Sequence, residues 1–150
     1  MIRIALSLAL LMTAACATSP PKTPDQEVEA FMWDYTRTWN RHDAAGIAQN
    51  FYRMPGRDVA AQTAANVQTF AGLVAQGYDH SDIREIKTCV TGLDRAWAGM
   101  KFSRLKADGT ALPPTDRASS YELQRFPDGW RIVRLMGYDA AQPLACPAAG

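Results

Sequence analysis

Partway along the chain the apolar residues change their spacing, and that change limits the fold more than any other feature. Val28, Phe31, Met32, Tyr35 and Trp39 recur at intervals of three and four, the stripe of an amphipathic helix. Thr23-Pro24-Asp25-Gln26 is a start signal for that helix: Thr as cap, Pro in the first turn, Gln three residues on. Asn40-Arg41-His42-Asp43 interrupts the stripe, and Asp43 is placed to cap a shorter helix running to about Tyr52. Pro55-Gly56 marks a turn. A third helix is expected from about Ala60 to Gln76, with Ala64, Val67, Phe70, Ala71 and Val74 inward and Gly77 at its end. Beyond Gly77 the period is two. Ile86, Thr88 and Val90 alternate, Trp97 to Leu105 reads as a strand, and Ser119–Phe126 and Trp130–Tyr138 form a hairpin through Pro127-Asp128-Gly129. Helices first and antiparallel strands afterwards predict an α+β domain, a curved sheet wrapped over helices, spanning residues 24–140. The Ala- and Pro-rich residues 141–150 are expected to form a loose tail unless Cys146 holds them.

The first 23 residues follow different rules. Met1-Ile2-Arg3 is a short basic start, and Ile4 to Met12 is a nearly unbroken apolar run. As a helix, such a run rises only about 14 Å, too little to cross a ~30 Å hydrocarbon layer. Residues 1–15 therefore read as a secretory signal peptide, and the protein as exported. Thr13-Ala14-Ala15-Cys16 resembles the lipobox of bacterial lipoproteins, in which the new N-terminal cysteine is acylated. Thr13 departs from that pattern, where an aliphatic residue is usual. Ala15-Cys16-Ala17 also has the small-x-small form of ordinary cleavage after Ala17, so both readings stand. With lipid on Cys16, residues 16–23 become anchor and tether, and Ala17 in place of Asp suggests the periplasmic side of a Gram-negative outer membrane. The other reading is a soluble periplasmic protein.

Setting Cys16 aside leaves Cys89 and Cys146. In an oxidising compartment these either join or remain two independent thiols, one in a strand and one in the tail. His42 and His80 are the only histidines and no CxxC occurs, so no metal site is expected. Nothing in the sequence calls for a cofactor. The 16 basic and 15 acidic residues balance and form no basic stripe, which argues against nucleic acid.

Two segments carry a family resemblance: Tyr35-Thr36-Arg37-Thr38-Trp39-Asn40-Arg41-His42-Asp43-Ala44-Ala45-Gly46-Ile47 leading to Phe51-Tyr52, and Tyr121 to Val133 with its Phe126-Pro127-Asp128-Gly129-Trp130 turn. From about Val28 to Tyr138 the chain resembles the nuclear transport factor 2-like superfamily, in particular its SnoaL-like bacterial branch. The resemblance implies a cone with an apolar pocket at its wide end and homodimers through the outer sheet face; the pocket or the open sheet face would hold a small apolar ligand or a partner protein. It does not imply one activity, because the superfamily holds isomerases, dehydratases, cyclases and modules without chemistry.

Aligning the Asn40–Asp43 turn with that of ketosteroid isomerases puts Tyr35 at their oxyanion-hole tyrosine. Aligning the last hairpin puts Glu122 at their protonated acid. Both groups donate to a developing enolate oxygen in such chemistry. The general base falls close to Val59, with Asp58 beside it and His42 as the other candidate. Trp39, Trp97 and Trp130 are candidate pocket walls together with Tyr35, although large aromatics also fill ordinary cores. His42 otherwise reads as an exposed turn histidine, and His80 as a partner of Asp82. The preferred expectation is an exported, lipid-anchored accessory or small-ligand-binding module, more a binder than an enzyme. The other is a small acid–base enzyme acting on a carbonyl-bearing apolar substrate.

Overall fold

The computed structural model describes residues 21–148, so the signal peptide and Cys16 lie outside the described residues. Three helices come first: α1 (Pro24–Asn40), α2 (Ala44–Asn50) and α3 (Val59–Val74). Four strands follow: β1 (His80–Val90), β2 (Arg95–Leu105), β3 (Arg117–Phe126) and β4 (Gly129–Tyr138). They pair antiparallel in the order β1-β2-β3-β4.

Each helix start is a local chemical event. Thr23 and Gln26 form a reciprocal capping box on α1, with the Gln26 amide donating to the Thr23 hydroxyl at 3.3 Å and the Thr23 amide to Gln26 Oε1 at 2.9 Å. Asp43 caps α2 by accepting from the Gly46 amide at 2.8 Å. A Cβ on Gly46 would meet the Asp43 carboxylate at 2.2 Å, so this position has to be glycine while the cap is kept. Asp58 caps α3 through the Ala61 amide at 2.8 Å.

The helices pack on one face of the sheet, around a core whose fully buried members include Val28, Met32, Ile47, Leu123 and Ile132. Along α1 the expected stripe is the one that turns inward, with Val28, Met32 and Tyr35 buried. Along α3 only Phe70 of the expected stripe is buried: Val67 and Val74 are 50% and 52% exposed, and Gln62, Asn66 and Leu73 turn inward instead. No charge occurs between Val59 and Val74, so hydrophobicity sets the phase of this Ala-rich helix only weakly. Side-chain amides help set it instead. Gln62 Nε2 donates to Asn66 Oδ1 at 2.9 Å, and Asn66 Nδ2 to the Ala44 carbonyl at 3.0 Å.

The tail is held. Cys89 on β1 and Cys146 form a disulfide, and Leu144 packs with Trp97 on the outer sheet face. Tyr138 donates to the Pro143 carbonyl at 2.9 Å. A Cβ on Gly99 would come within 2.5 Å of the Trp97 ring and 2.9 Å of Leu144, so a glycine here lets the tail lie flat.

Candidate functional site

A cavity of about 70 Å³ lies between α1 and the inner face of the sheet. Tyr35, Trp39 and Asn40 of α1 wall one side; Ile83, Met100, Phe102, Ser119, Tyr121 and Leu135 of the strands wall the other. Strand pairing explains the membership. Ile83 faces Phe102, Met100 faces Ser119, and Tyr121 faces Leu135 across the ladders, so successive inward residues form a continuous floor.

Tyr35 and Tyr121 line the cavity, and Tyr52 stands behind Tyr35. Tyr35 and Tyr52 share a hydrogen bond of 2.8 Å. Tyr52 is brought there by a short parallel bridge to Ile132, made by Arg53 N–H to the Ile132 carbonyl at 2.9 Å and Ile132 N–H to the Phe51 carbonyl at 2.7 Å. Tyr121 sets its ring edge against Tyr35, with centroids 5.7 Å apart. Burial pushes the phenol of Tyr52 up to about 12 and raises those of Tyr35 and Tyr121 above the usual range, with the neighbouring phenols adding to the rise at Tyr35. All three are neutral hydroxyls at physiological pH.

The mouth is polar. Trp39 Nε1 donates to the Tyr78 hydroxyl at 3.0 Å, and that hydroxyl lies 2.9 Å from Ser81 Oγ. Asn40 clips the start of β1 by donating to the Ser81 carbonyl at 2.9 Å and accepting from the Ser81 amide at 3.0 Å. Arg104 completes the rim, half-buried and next to the end of β2.

Several residues picked from the sequence lie elsewhere. Glu122 is on the outer face, its side chain 44% exposed and 3.4 Å from Arg134, because Tyr121 and Leu123 take the inward positions of β3 and a strand alternates. Asp58 is exposed at the start of α3, and its carboxylate is occupied by the cap. The segment at Asp58 and Val59 opens a helix and contributes no side chain to the cavity. Trp97 packs with Leu144 and Cys89 on the outer face. Trp130 is buried in the main core at the start of β4, under Arg125, away from the cavity. Of the expected pocket walls, Tyr35 and Trp39 line the cavity.

His42 sits in the expected turn but makes packing contacts, and His80 takes a different partner. His42, at a left-handed φ of 55°, stacks on Phe70 and Tyr78 and lies 2.7 Å from the Asp79 carbonyl. His80 pairs with Asp79 at 2.8 Å, not with Asp82. Among the described residues, no three His, Cys, Asp or Glu side chains converge on a point that could hold a metal ion. Nor is any described helix long and apolar enough to cross a membrane.

Tyr121, Ser119 and Arg104 line the site and Tyr52 supports Tyr35 from behind, and no sequence motif marks any of the four. The first three follow from alternation, since Met100, Phe102 and Arg104 share one face of β2 and Ser119, Tyr121 and Leu123 one face of β3. Tyr52 follows a helix end, and no local signal marks it. A wider hollow of about 240 Å³ lies among Arg84, Glu85, Lys101, Asp116 and Arg117. Its walls are charged and Arg84 already pairs with Asp116 at 2.6 Å, so the tyrosine-lined cavity is the better ligand site.

Comparison with known proteins agrees with this architecture. The family model described as NTF2-like protein (DUF6841) matches residues 26–140. No curated protein matches the chain. Among solved structures, an NTF2-like protein with a cystatin-like fold from Novosphingobium aromaticivorans is similar at 25% identity and TM-score 0.52, over 73% of this chain and 77% of that one. A domain of unknown function with a cystatin-like fold from Nostoc punctiforme is similar at 18% identity and TM-score 0.56, over 77% and 76% of the two chains. An NTF2-like protein of unknown function from Shewanella oneidensis is similar at 14% identity and TM-score 0.54, over 75% and 97%.

Proposed function

The chain belongs to the NTF2-like family DUF6841, and from that premise we propose that it is a small-ligand-binding module of the SnoaL-like type. The observation that carries this reading is the lining of the cavity. It combines apolar walls with a few convergent polar groups, the usual make-up of a small-molecule site. None of its lining residues is a carboxylate or a histidine. The Tyr35 hydroxyl is engaged by Tyr52, and the Tyr121 hydroxyl reaches the Met100 sulfur at 3.8 Å.

The acid–base enzyme reading keeps Tyr35 and gains Tyr121 as a second neutral donor. It lacks a base, since Glu122 and Asp58 lie outside the cavity and the His42 ring is stacked away on Phe70 and Tyr78. A binder needs no base. At about 10–15 Å³ per water, the cavity holds about five waters.

Export and attachment through an acylated Cys16 are part of the proposal and rest first on residues 1–22. The resulting address is the periplasmic side of an outer membrane. The Cys89–Cys146 disulfide supports an oxidising compartment. A homodimer through the outer sheet face would form beside the tail, because Leu144 and Cys146 already occupy the ground around Trp97.

Native mass spectrometry of membrane-extracted protein, followed by solvent extraction, tests these points together. The expected result is an acylated N-terminus at Cys16 and a small co-purifying molecule. An unmodified N-terminus at Thr18 overturns the anchor. Turnover of a carbonyl substrate that is lost in Tyr35→Phe overturns the binder reading.

A further inference from the structure

Packing does not account for Arg104. Arg84, Arg125, Arg131 and Arg134 each face a carboxylate within 3.4 Å. Among the described residues no ion pair involves Arg104. Its Nε is buried without a hydrogen-bond partner. Desolvation lowers its pKa, and the neighbouring Arg117 lowers it further. Tyr78 and Tyr121 offset this in part, but neither carries a carboxylate, and Arg117 also has a buried Nε without a partner. A half-buried cation next to a second cation, with no acid beside it, is a standing penalty on folding. An arrangement of that kind persists where a bound anion repays it, at a site held strained for function.

Building on the pocket reading above, we infer that Arg104 is the anion-binding end of the cavity and that the ligand is a small monocarboxylate. A flat carboxylate matches the guanidinium fork and takes two parallel N–H bonds. The hydroxyls of Ser81 and Ser119 stand on the same rim and floor to complete its shell. The body of the acid then lies between Trp39, Met100 and Phe102. The cavity has room for about four to six non-hydrogen atoms of that body, taking one such atom per water-sized space. A phosphate monoester fits less well, because a dianion asks for more donors than this rim holds.

The test is calorimetric titration of the purified full chain with short carboxylates from acetate to hexanoate, and with benzoate, each beside its own amide. At least one acid is expected to bind about tenfold or more tighter than its amide, the gain of a charge-assisted hydrogen bond. Arg104→Gln is expected to abolish that preference while unfolding at the same or a higher temperature than the parent in the absence of ligand. Arg104→Lys is expected to keep part of it. Acids and amides that bind equally well overturn the anion assignment and leave a neutral pocket standing. A series in which neither acids nor amides bind overturns the assignment together with the pocket reading.

Discussion

The two faces of the sheet are built from alternate residues of the same strands and do opposite things. The inner face, through Tyr121, Met100 and Phe102, leaves space under α1 and fills the rim with hydroxyls and an unpaired guanidinium. The outer face, through Trp97 and Cys89, is closed by the chain's own tail with Leu144 and a disulfide. One face has been left unfinished and the other sealed. Stability is therefore expected to be concentrated on the outer face and ligand response on the inner one.

The strongest way to break this contrast is Trp97→Ala. It removes a buried aromatic and leaves a cavity under the tail, so a loss of about 3–5 kcal/mol is expected in urea unfolding. Ligand affinity per folded molecule should not change; an equal loss of affinity would mean that the two faces are coupled. Opening the disulfide by Cys146→Ser should come next. The cysteines are 57 residues apart, and the expected loss is about 2–4 kcal/mol, with the reductant sensitivity of the parent abolished in the variant. An unchanged melting temperature would show that the tail contributes little.

On the inner face, Tyr52→Phe strips the partner from the buried Tyr35 hydroxyl, at a cost of about 1–3 kcal/mol, and should alter ligand response as well. The phenols also predict an alkaline limit. The Tyr52 phenol is held up to about 12 in the folded chain against an ordinary 10.0, so folded protein keeps a proton that unfolded protein gives up. Its stabilising contribution is complete below pH 10 and is lost as pH rises from there through about 12. In that window stability should fall by about 1.4 kcal/mol per pH unit for each such tyrosine. Tyrosinate absorbance followed alongside unfolding checks this, and Tyr52→Phe should shallow the slope. The smallest effect is expected for Glu122→Gln on the outer face. Its contact with Arg134 is exposed, worth under about 1 kcal/mol, and ligand binding should not respond.

The legibility of the molecule followed the range of the interactions involved. Helix starts at Thr23 and Asp43 are made by residues within three positions of each other, and strands by a period of two, so the α+β order could be read directly. The Asp58 carboxylate illustrates the converse. Its local role as a cap was strong enough to exclude the distant role that family resemblance suggested. Glu122 failed for a similar reason: Tyr121 and Leu123 are the apolar pair, and alternation alone puts the acid on the other face.

Local chemistry thus settled the order of elements, their caps and the inward stripe of α1, because those depend on near neighbours and on periodicity. The face that α3 buries, the meeting of Tyr35 with Tyr52, the closing of Cys89 on Cys146 and the isolation of Arg104 were decided by packing. Each depends on segments far apart in the chain being brought to one place, and on which buried polar groups then find a partner. No spacing along the sequence records that.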